Sequence, residues 1–228
     1  MQQSKANQYT VRTCPLCGSD AHFFHTAFNR DYWECPMCCG VFLSPDQLLP
    51  PEMEYQEYCT HHNDVNDTGY QKFVMPLVDL ITSNHYVKQI GLDFGAGSGP
   101  VVTKMLEDRG FTLQVYDPFF HPDTTVLDNT YDFIVTCEVV EHFYHPRETF
   151  NQLMKMLKPN GVLYCKTELF TDAIDFTQWR YPREATHVFF YRPQTVHWMT
   201  SSLNGVSATI YSNKIFSLQK SHLTPSVG

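Results

Sequence analysis

Apolar positions along the chain recur with two different periods, and together they predict an alternating succession of strands and helices. Residues 88–94 read as a strand, with Ile90, Leu92 and Phe94 apolar at every second position. Gly95-Ala96-Gly97-Ser98-Gly99 follows, and then Val101, Val102, Met105 and Leu106 at helical spacing, with Gly110 placed to end that helix. A second strand is predicted over Thr112–Tyr116, a short third around 124–127, a buried fourth over Tyr131–Cys137 and a fifth over 162–166. Between the last two, Pro146 opens a helix with Phe150, Leu153, Met154 and Leu157 on one face, and Lys158-Pro159-Asn160-Gly161 forms a turn. Two β-rich runs within 205–219, joined at Ser212-Asn213, predict a closing antiparallel hairpin. The expected class is α/β: a Rossmann-like, seven-stranded, mostly parallel sheet with helices on both faces.

Upstream of this succession the pattern changes. Cys14-Pro15-Leu16-Cys17 and Cys35-Pro36-Met37-Cys38 are two CxxC turns separated by 17 residues. Each turn points two thiolates into one tetrahedral corner, so Cys14, Cys17, Cys35 and Cys38 are expected to hold a structural Zn2+ with no open coordination position. Residues 21–24 and 30–34 read as strands of that ribbon. Cys39 competes with Cys38 as the fourth ligand, and a redox-active CxxC competes with zinc; the matched two-residue gaps favour Cys38 and the metal. A ribbon this small has almost no core, so zinc would supply much of its folding free energy. Expected boundaries are 1–50 for ribbon and linker, 51–85 for a helical lid or connector, and 86–228 for the nucleotide-binding domain, with 168–200 as a substrate-side insertion.

Length and composition narrow the function. The 228 residues suffice for one ordinary domain plus an appendage, and 43% hydrophobic with 18% charged residues reads as globular. A formal net charge of −8 disfavours a large nucleic-acid footprint, which needs clustered Lys and Arg. Residues 1–8 are polar and lack the apolar run of a signal peptide, and no run of about 18 apolar residues offers a membrane span. Organised cysteine knuckles point to a reducing compartment, and a cytoplasmic location is expected. The oligomeric state is not readable.

The glycine turn lets a ligand approach the backbone near a helix N-terminus. Pro100 stands where a dinucleotide fingerprint has its third glycine, which disfavours NAD and oxidoreduction. Asp117, 24 residues after Asp93, either accepts hydrogen bonds from ribose hydroxyls or caps its own loop.

The ordered set LDFGAGSG, VYDP, YDFIVTCEVVEHF and LKPNGVLYCKT, from Leu92 to Thr167, resembles the class I S-adenosylmethionine (SAM)-dependent methyltransferases. The resemblance implies SAM as cofactor, with Asp93, Gly95, Ala96, Gly97, Gly99, Asp117, Pro118, Glu138, Val139 and Tyr70 around it. Two further segments resemble a bacterial subgroup with an N-terminal zinc ribbon. One runs from His61-His62-Asn63 to Tyr70. The other spans Trp179-Arg180-Tyr181 to Thr186-His187-Val188-Phe189-Phe190-Tyr191, with Glu184 where Asp is usual. Zinc-ribbon C-methyltransferases of nucleotide-linked deoxysugars are similar but much longer.

A small-molecule methyl acceptor is the expected partner, attacked at O, C or N. Trp179, Tyr181 and His187 are candidate substrate contacts, and His187 and His142 candidate bases. Against these stand plainer roles: a histidine bonded to its own loop, a pocket-shaping histidine, an aromatic core beneath a long loop. Tyr58 and Tyr70 belong either over the cofactor or between ribbon and core. His61-His62 with Cys59 or Asp64 reads as a second metal set or as a polar lid. Cys137 and Cys165 read as buried, unreactive thiols. The rival functions are RNA methylation and a non-catalytic interaction module.

Overall fold

The computed structural model describes residues 11–60, 63–203 and 205–221; residues 1–8 and the His61-His62 pair lie outside the described residues. The ribbon is built from β1 (Val11–Thr13), β2 (Asp20–Ala27), β3 (Arg30–Glu34) and β4 (Val41–Leu43). Its two knuckles close alike: Gly18 N–H donates to the Cys14 carbonyl and Cys39 N–H to the Cys35 carbonyl, each at 2.8 Å. Gly18 and Cys39 also share a left-handed backbone, φ 78° and 58°. Cys39 is therefore the turn residue that follows the second knuckle, the counterpart of Gly18, and Cys38 faces the other three cysteines. Phe28 and Asn29, both left-handed, make the two-residue turn between β2 and β3.

Two helices follow, α1 (Pro51–Cys59) and α2 (Thr68–Asn84). The Asp67 carboxylate caps α2 by accepting Gly69 N–H at 2.7 Å, and Val74, Leu77, Val78 and Ile81 form its buried face. Then come β5 (Ile90–Phe94), α3 (Val101–Glu107), β6 (Thr112–Tyr116), β7 (Tyr131–Cys137), α4 (Pro146–Met156), β8 (Leu157–Lys166), β9 (Phe189–Phe190), α5 (Pro193–Ser202), β10 (Val206–Ser212) and β11 (Ile215–Lys220). The main sheet runs β10-β11-β8-β7-β5-β6, with β6, β5, β7 and β8 parallel and the β10–β11 hairpin antiparallel. Along β7, Phe133 and Val135 pack towards α2 and α3, while Ile134 faces the cluster of α4 and α5, so helices cover both faces. No described helix is long and apolar enough to cross a membrane.

Among the described residues the sheet has six strands where seven were expected. The segment expected as the third strand forms a 3-10 turn, Thr124–Asp128, because the Asp123 carboxylate accepts Thr125 N–H (3.0 Å) and its hydroxyl (2.6 Å). Local side-chain bonds of this kind outcompete a ladder. Residues 158–161, expected as a turn before the strand, form an irregularity within β8: Leu157 pairs with Tyr131 and Val162 with Phe133.

The ribbon is not self-contained. β9, from the 168–200 segment, completes its sheet in the order β1-β2-β3-β4-β9, pairing Val41 with Phe190 and Phe42 with Phe189. Phe42 and Phe189 stack at 6.3 Å, and a Cβ on Gly40 would lie 2.4 Å from the Phe189 ring. Tyr32, Phe170, Phe176, Trp179 and Phe190 form a shared apolar cluster beside them. The core that the ribbon lacks is thus supplied by the insertion.

Two outcomes follow from this packing. Phe189 is fully buried at the shared face, so Phe189→Ala is expected to cost about 3–5 kcal/mol. Urea unfolding measures it, and a loss below about 1 kcal/mol would show that ribbon and insertion do not share a core. Asp93, buried beneath α3, accepts the Thr103 hydroxyl at 2.8 Å, yet burial pushes its carboxyl up to about 6, with the hydrogen bond only partly offsetting. Folding therefore favours the protonated acid: that contribution is complete below the unfolded pKa and is lost as pH rises through 6. Asp93→Asn should raise unfolding free energy at pH 8 by about 2–3 kcal/mol and give no such gain at pH 4. An equal effect at both pH values would refute the assignment.

Candidate active site

The carboxyl ends of β5, β6 and β7 and the N-terminal part of α2 enclose one cavity of about 790 Å3, the size of a small-molecule site. All ten residues expected around a cofactor line it. Gly95 and Gly97 take φ of 81° and 66°, a backbone only glycine adopts at low cost. A Cβ on Gly95 would lie 2.5 Å from Val139, and one on Gly99 would lie 1.7 Å from the Asn63 carbonyl oxygen. At the end of β6 the Asp117 carboxylate accepts N–H groups of Phe119 (2.9 Å) and Phe120 (3.0 Å) through Oδ1, and of Gly97 (2.9 Å) through Oδ2. It caps its own loop and also reaches the glycine turn. A cradle that admits no side chain, beside a buried acceptor carboxylate, fits the nucleoside and methionine parts of SAM.

The other half of the cavity is ionisable. Glu138 ends β7 in a left-handed conformation, φ 55°, its Oε1 3.4 Å from Lys166 Nζ and its Oε2 accepting the Tyr181 hydroxyl at 3.0 Å. Glu141, fully buried in the turn Val140–His142, also accepts from Tyr181 through Oε1, and that oxygen stands 3.9 Å from His187 Nε2. Tyr181 has one hydroxyl proton for two carboxylates. Burial pushes Glu138 up to about 7, the Glu141 charge adding and Lys166 opposing; burial also pushes Glu141 to about 7, the Tyr181 hydrogen bond opposing.

Both histidines are oriented by backbone. His142 Nδ1 lies 3.0 Å from the Thr186 carbonyl and His187 Nδ1 lies 2.8 Å from the Tyr181 carbonyl. A carbonyl only accepts, so each Nδ1 carries a proton. The rings are 4.7 Å apart and both line the cavity.

Trp179 corrects an expectation: it does not line the cavity. It is buried, stacks on Phe170 (5.4 Å) and Tyr181 (5.1 Å), and donates its indole N–H to Glu168 at 3.1 Å. It backs Tyr181, which does face the cavity. Sequence reasoning missed Asn63, Phe73, Phe119, Phe120, Glu141 and Lys166. Glu141 had a signal, a second acid three residues after Glu138 at a strand end; the three phenylalanines had none. Cys165 is buried and its thiol pushed up to about 12; burial likewise raises Cys137.

Some way off, the sulfurs of Cys14 and Cys38 are 3.5 Å apart, those of Cys17 and Cys35 are 3.2 Å apart, and all four lie within 4.8 Å of one another. Four thiolates about 2.3 Å from a tetrahedral zinc would be spaced by roughly 3.8 Å, so the set fits that metal.

The sequence profile of a family described as a methyltransferase domain matches residues 51–204. No curated protein matches the chain. Among solved structures, it is similar to the 1,6-didemethyltoxoflavin-N1-methyltransferase of Burkholderia thailandensis, bound to 1,6-didemethyltoxoflavin and S-adenosylhomocysteine. That likeness has 12% identity and a TM-score of 0.53, over 87% of this chain and 99% of that one. An O-methyltransferase family protein of the same organism is 16% identical with a TM-score of 0.50, over 68% of this chain and 58% of that one. Human N-acetylserotonin methyltransferase, in complex with SAM, is 11% identical with a TM-score of 0.52, over 67% and 54%. The chain spans little more than half the length of these last two proteins, and at such identities the likeness is one of fold. The family match covers most of the chain, and the doubly covered sheet with its glycine cradle agrees with it: the chain belongs to the methyltransferase-domain family.

Proposed function

We propose that this protein transfers a methyl group from SAM to a small-molecule acceptor held between Tyr181, His142 and His187. The observation that carries the reading is one continuous cavity whose lining includes both the glycine turn and the ionisable residues Glu138, His142, Tyr181 and His187. SAM bound in the glycine-lined half supplies an already activated methyl group. The backbone at Gly95 and Gly97 lies along its methionine part, and Asp117 accepts from the ribose hydroxyls. Asn63, Tyr70 and Phe73 cover that half and exclude water. Much of the rate then comes from holding the acceptor in line with the methyl carbon. The Nε2 lone pairs of His142 and His187 bind the acceptor or take its proton, and Glu138 is held beside them by Lys166. The net charge of −8 supports a small acceptor over RNA.

We further infer that Cys14, Cys17, Cys35 and Cys38 bind zinc that stiffens the ribbon.

Calorimetric titration of the zinc-loaded protein with S-adenosylhomocysteine tests the cofactor site. Micromolar binding is expected in the wild type, and its loss in a folded Gly97→Arg variant; a folded wild type that does not bind would refute the methyltransferase reading. Metal analysis should find one zinc per chain at the knuckles, and its removal by a chelator should lower the unfolding temperature by at least about 6 °C, at roughly 2–4 °C per kcal/mol. An unchanged midpoint would show that zinc has no structural role.

A further inference from the structure

We propose that Glu141, His142 and His187 form a divalent-cation site in the ionisable half of the cavity, suited to a first-row metal such as Mn2+ or Fe2+. One ligand atom from each of the three lies within 4.8 Å of the others. Two imidazoles and one carboxylate are a donor set that binds such ions while leaving coordination positions open. Shifts of about 1 Å would bring the three to roughly 2.0–2.2 Å from a common centre.

Three observations support a cation over a merely polar cluster. First, both imidazoles have the arrangement typical of metal ligands: Nδ1–H is fixed on a backbone carbonyl, at 3.0 Å for His142 and 2.8 Å for His187, so that Nε2 is the coordinating atom. Second, Glu141 is fully buried, and its Oε2 has no hydrogen-bond partner among the described residues. Buried carboxylates are paired or coordinate metals. The nearby cation, Lys166, stands against Glu138 at 3.4 Å, and on Glu141 it is the other oxygen, Oε1, that takes the Tyr181 hydroxyl and lies 3.9 Å from His187 Nε2. Third, the ligands sit on backbone that is already joined. Val188 N–H donates to the Glu141 carbonyl at 2.9 Å, and His187 N–H to the Glu184 carbonyl at 3.2 Å. Bringing the ligands together therefore costs little ordering entropy.

His142 and His187 line the cavity, so an ion held there would take its remaining ligands from water or oxygen atoms of the acceptor. This acceptor role rests on the proposed methyltransferase reading, whereas the cation site itself does not. It is also separate from the four cysteines, whose thiolates prefer softer metals than Mn2+.

The test is Mn2+ titration of the zinc-loaded protein, followed by electron paramagnetic resonance of the unbound ion. One Mn2+ per chain is expected. Glu141→Gln, which keeps the shape and still accepts from Tyr181, and His142→Ala should each weaken binding at least about tenfold, with S-adenosylhomocysteine affinity retained. In the wild type, bound Mn2+ should broaden the imidazole NMR signals of His142 and His187, a readout that needs no variant to fold. No uptake by the wild type, equal affinity in either variant, or broadening confined to other histidines would overturn the proposal. Loss of S-adenosylhomocysteine binding with Mn2+ uptake intact would instead count against the methyltransferase reading alone.

Discussion

The ionisable half of the cavity depends on one short run of backbone. Leu43 N–H, at the end of the ribbon, donates to the Val188 carbonyl at 2.8 Å, and Val188 N–H donates to the Glu141 carbonyl at 2.9 Å. The ribbon, the insertion and the turn after β7 are therefore linked through a single residue. Arg30 reinforces the link from β3, donating to the carbonyls of Ala185 (2.7 Å) and Glu184 (2.8 Å), and to that of Pro182. Each such bond adds only about 1 kcal/mol net, but leaving these carbonyls unpaired in the interior would cost more than forming the bonds gains. Tyr181 and His187 flank the residues so held, which is how a ribbon outside the main sheet fixes side chains inside the cavity.

The insertion needs this support because it has little regular structure of its own. Between β8 and α5 it holds one two-residue strand and a 3-10 turn, Tyr181–Arg183. Its order comes from packing: the aromatic cluster of Phe170, Phe176 and Trp179 with Tyr32 of β3, and the salt bridges of Arg192 to Glu34 of β3 (2.9 Å) and to Asp172 within the insertion (2.8 Å). A metal that stiffens the knuckles would act on the cavity through the same contacts, without touching cofactor or acceptor.

The cavity also concentrates features that stability alone would not retain. Glu138 holds a left-handed backbone that disfavours a side chain, and it shares a tyrosine hydroxyl with a fully buried glutamate. Such arrangements cost folding free energy and persist where the surroundings over-determine them, as they do at functional sites. The N–H of Glu138 is tied to the Lys166 carbonyl at 2.8 Å, so the strained residue is pinned at the edge of the sheet where the two halves of the cavity meet.

The features legible in the sequence were those set by local chemistry. The periods of β5, α3, β7 and α4, the glycine turn, Asp117 and the paired knuckles all follow from residues close together in the chain. The third strand was misread although its cause is also local, because the Asp123 cap on Thr125 competes with apolar patterning. Tertiary structure alone decided the rest. Trp179 and Tyr181 are both aromatic and two residues apart, and only packing determines which one faces the cavity. Glu141 and Lys166 acquire their roles from neighbours 46 and 28 residues away, and β9 completes a sheet begun at β1 in the ribbon. The reason is physical: hydrogen-bonding periodicity and turn geometry are properties of short segments, whereas burial, charge pairing and convergence of ligand atoms exist only once distant segments share the same space.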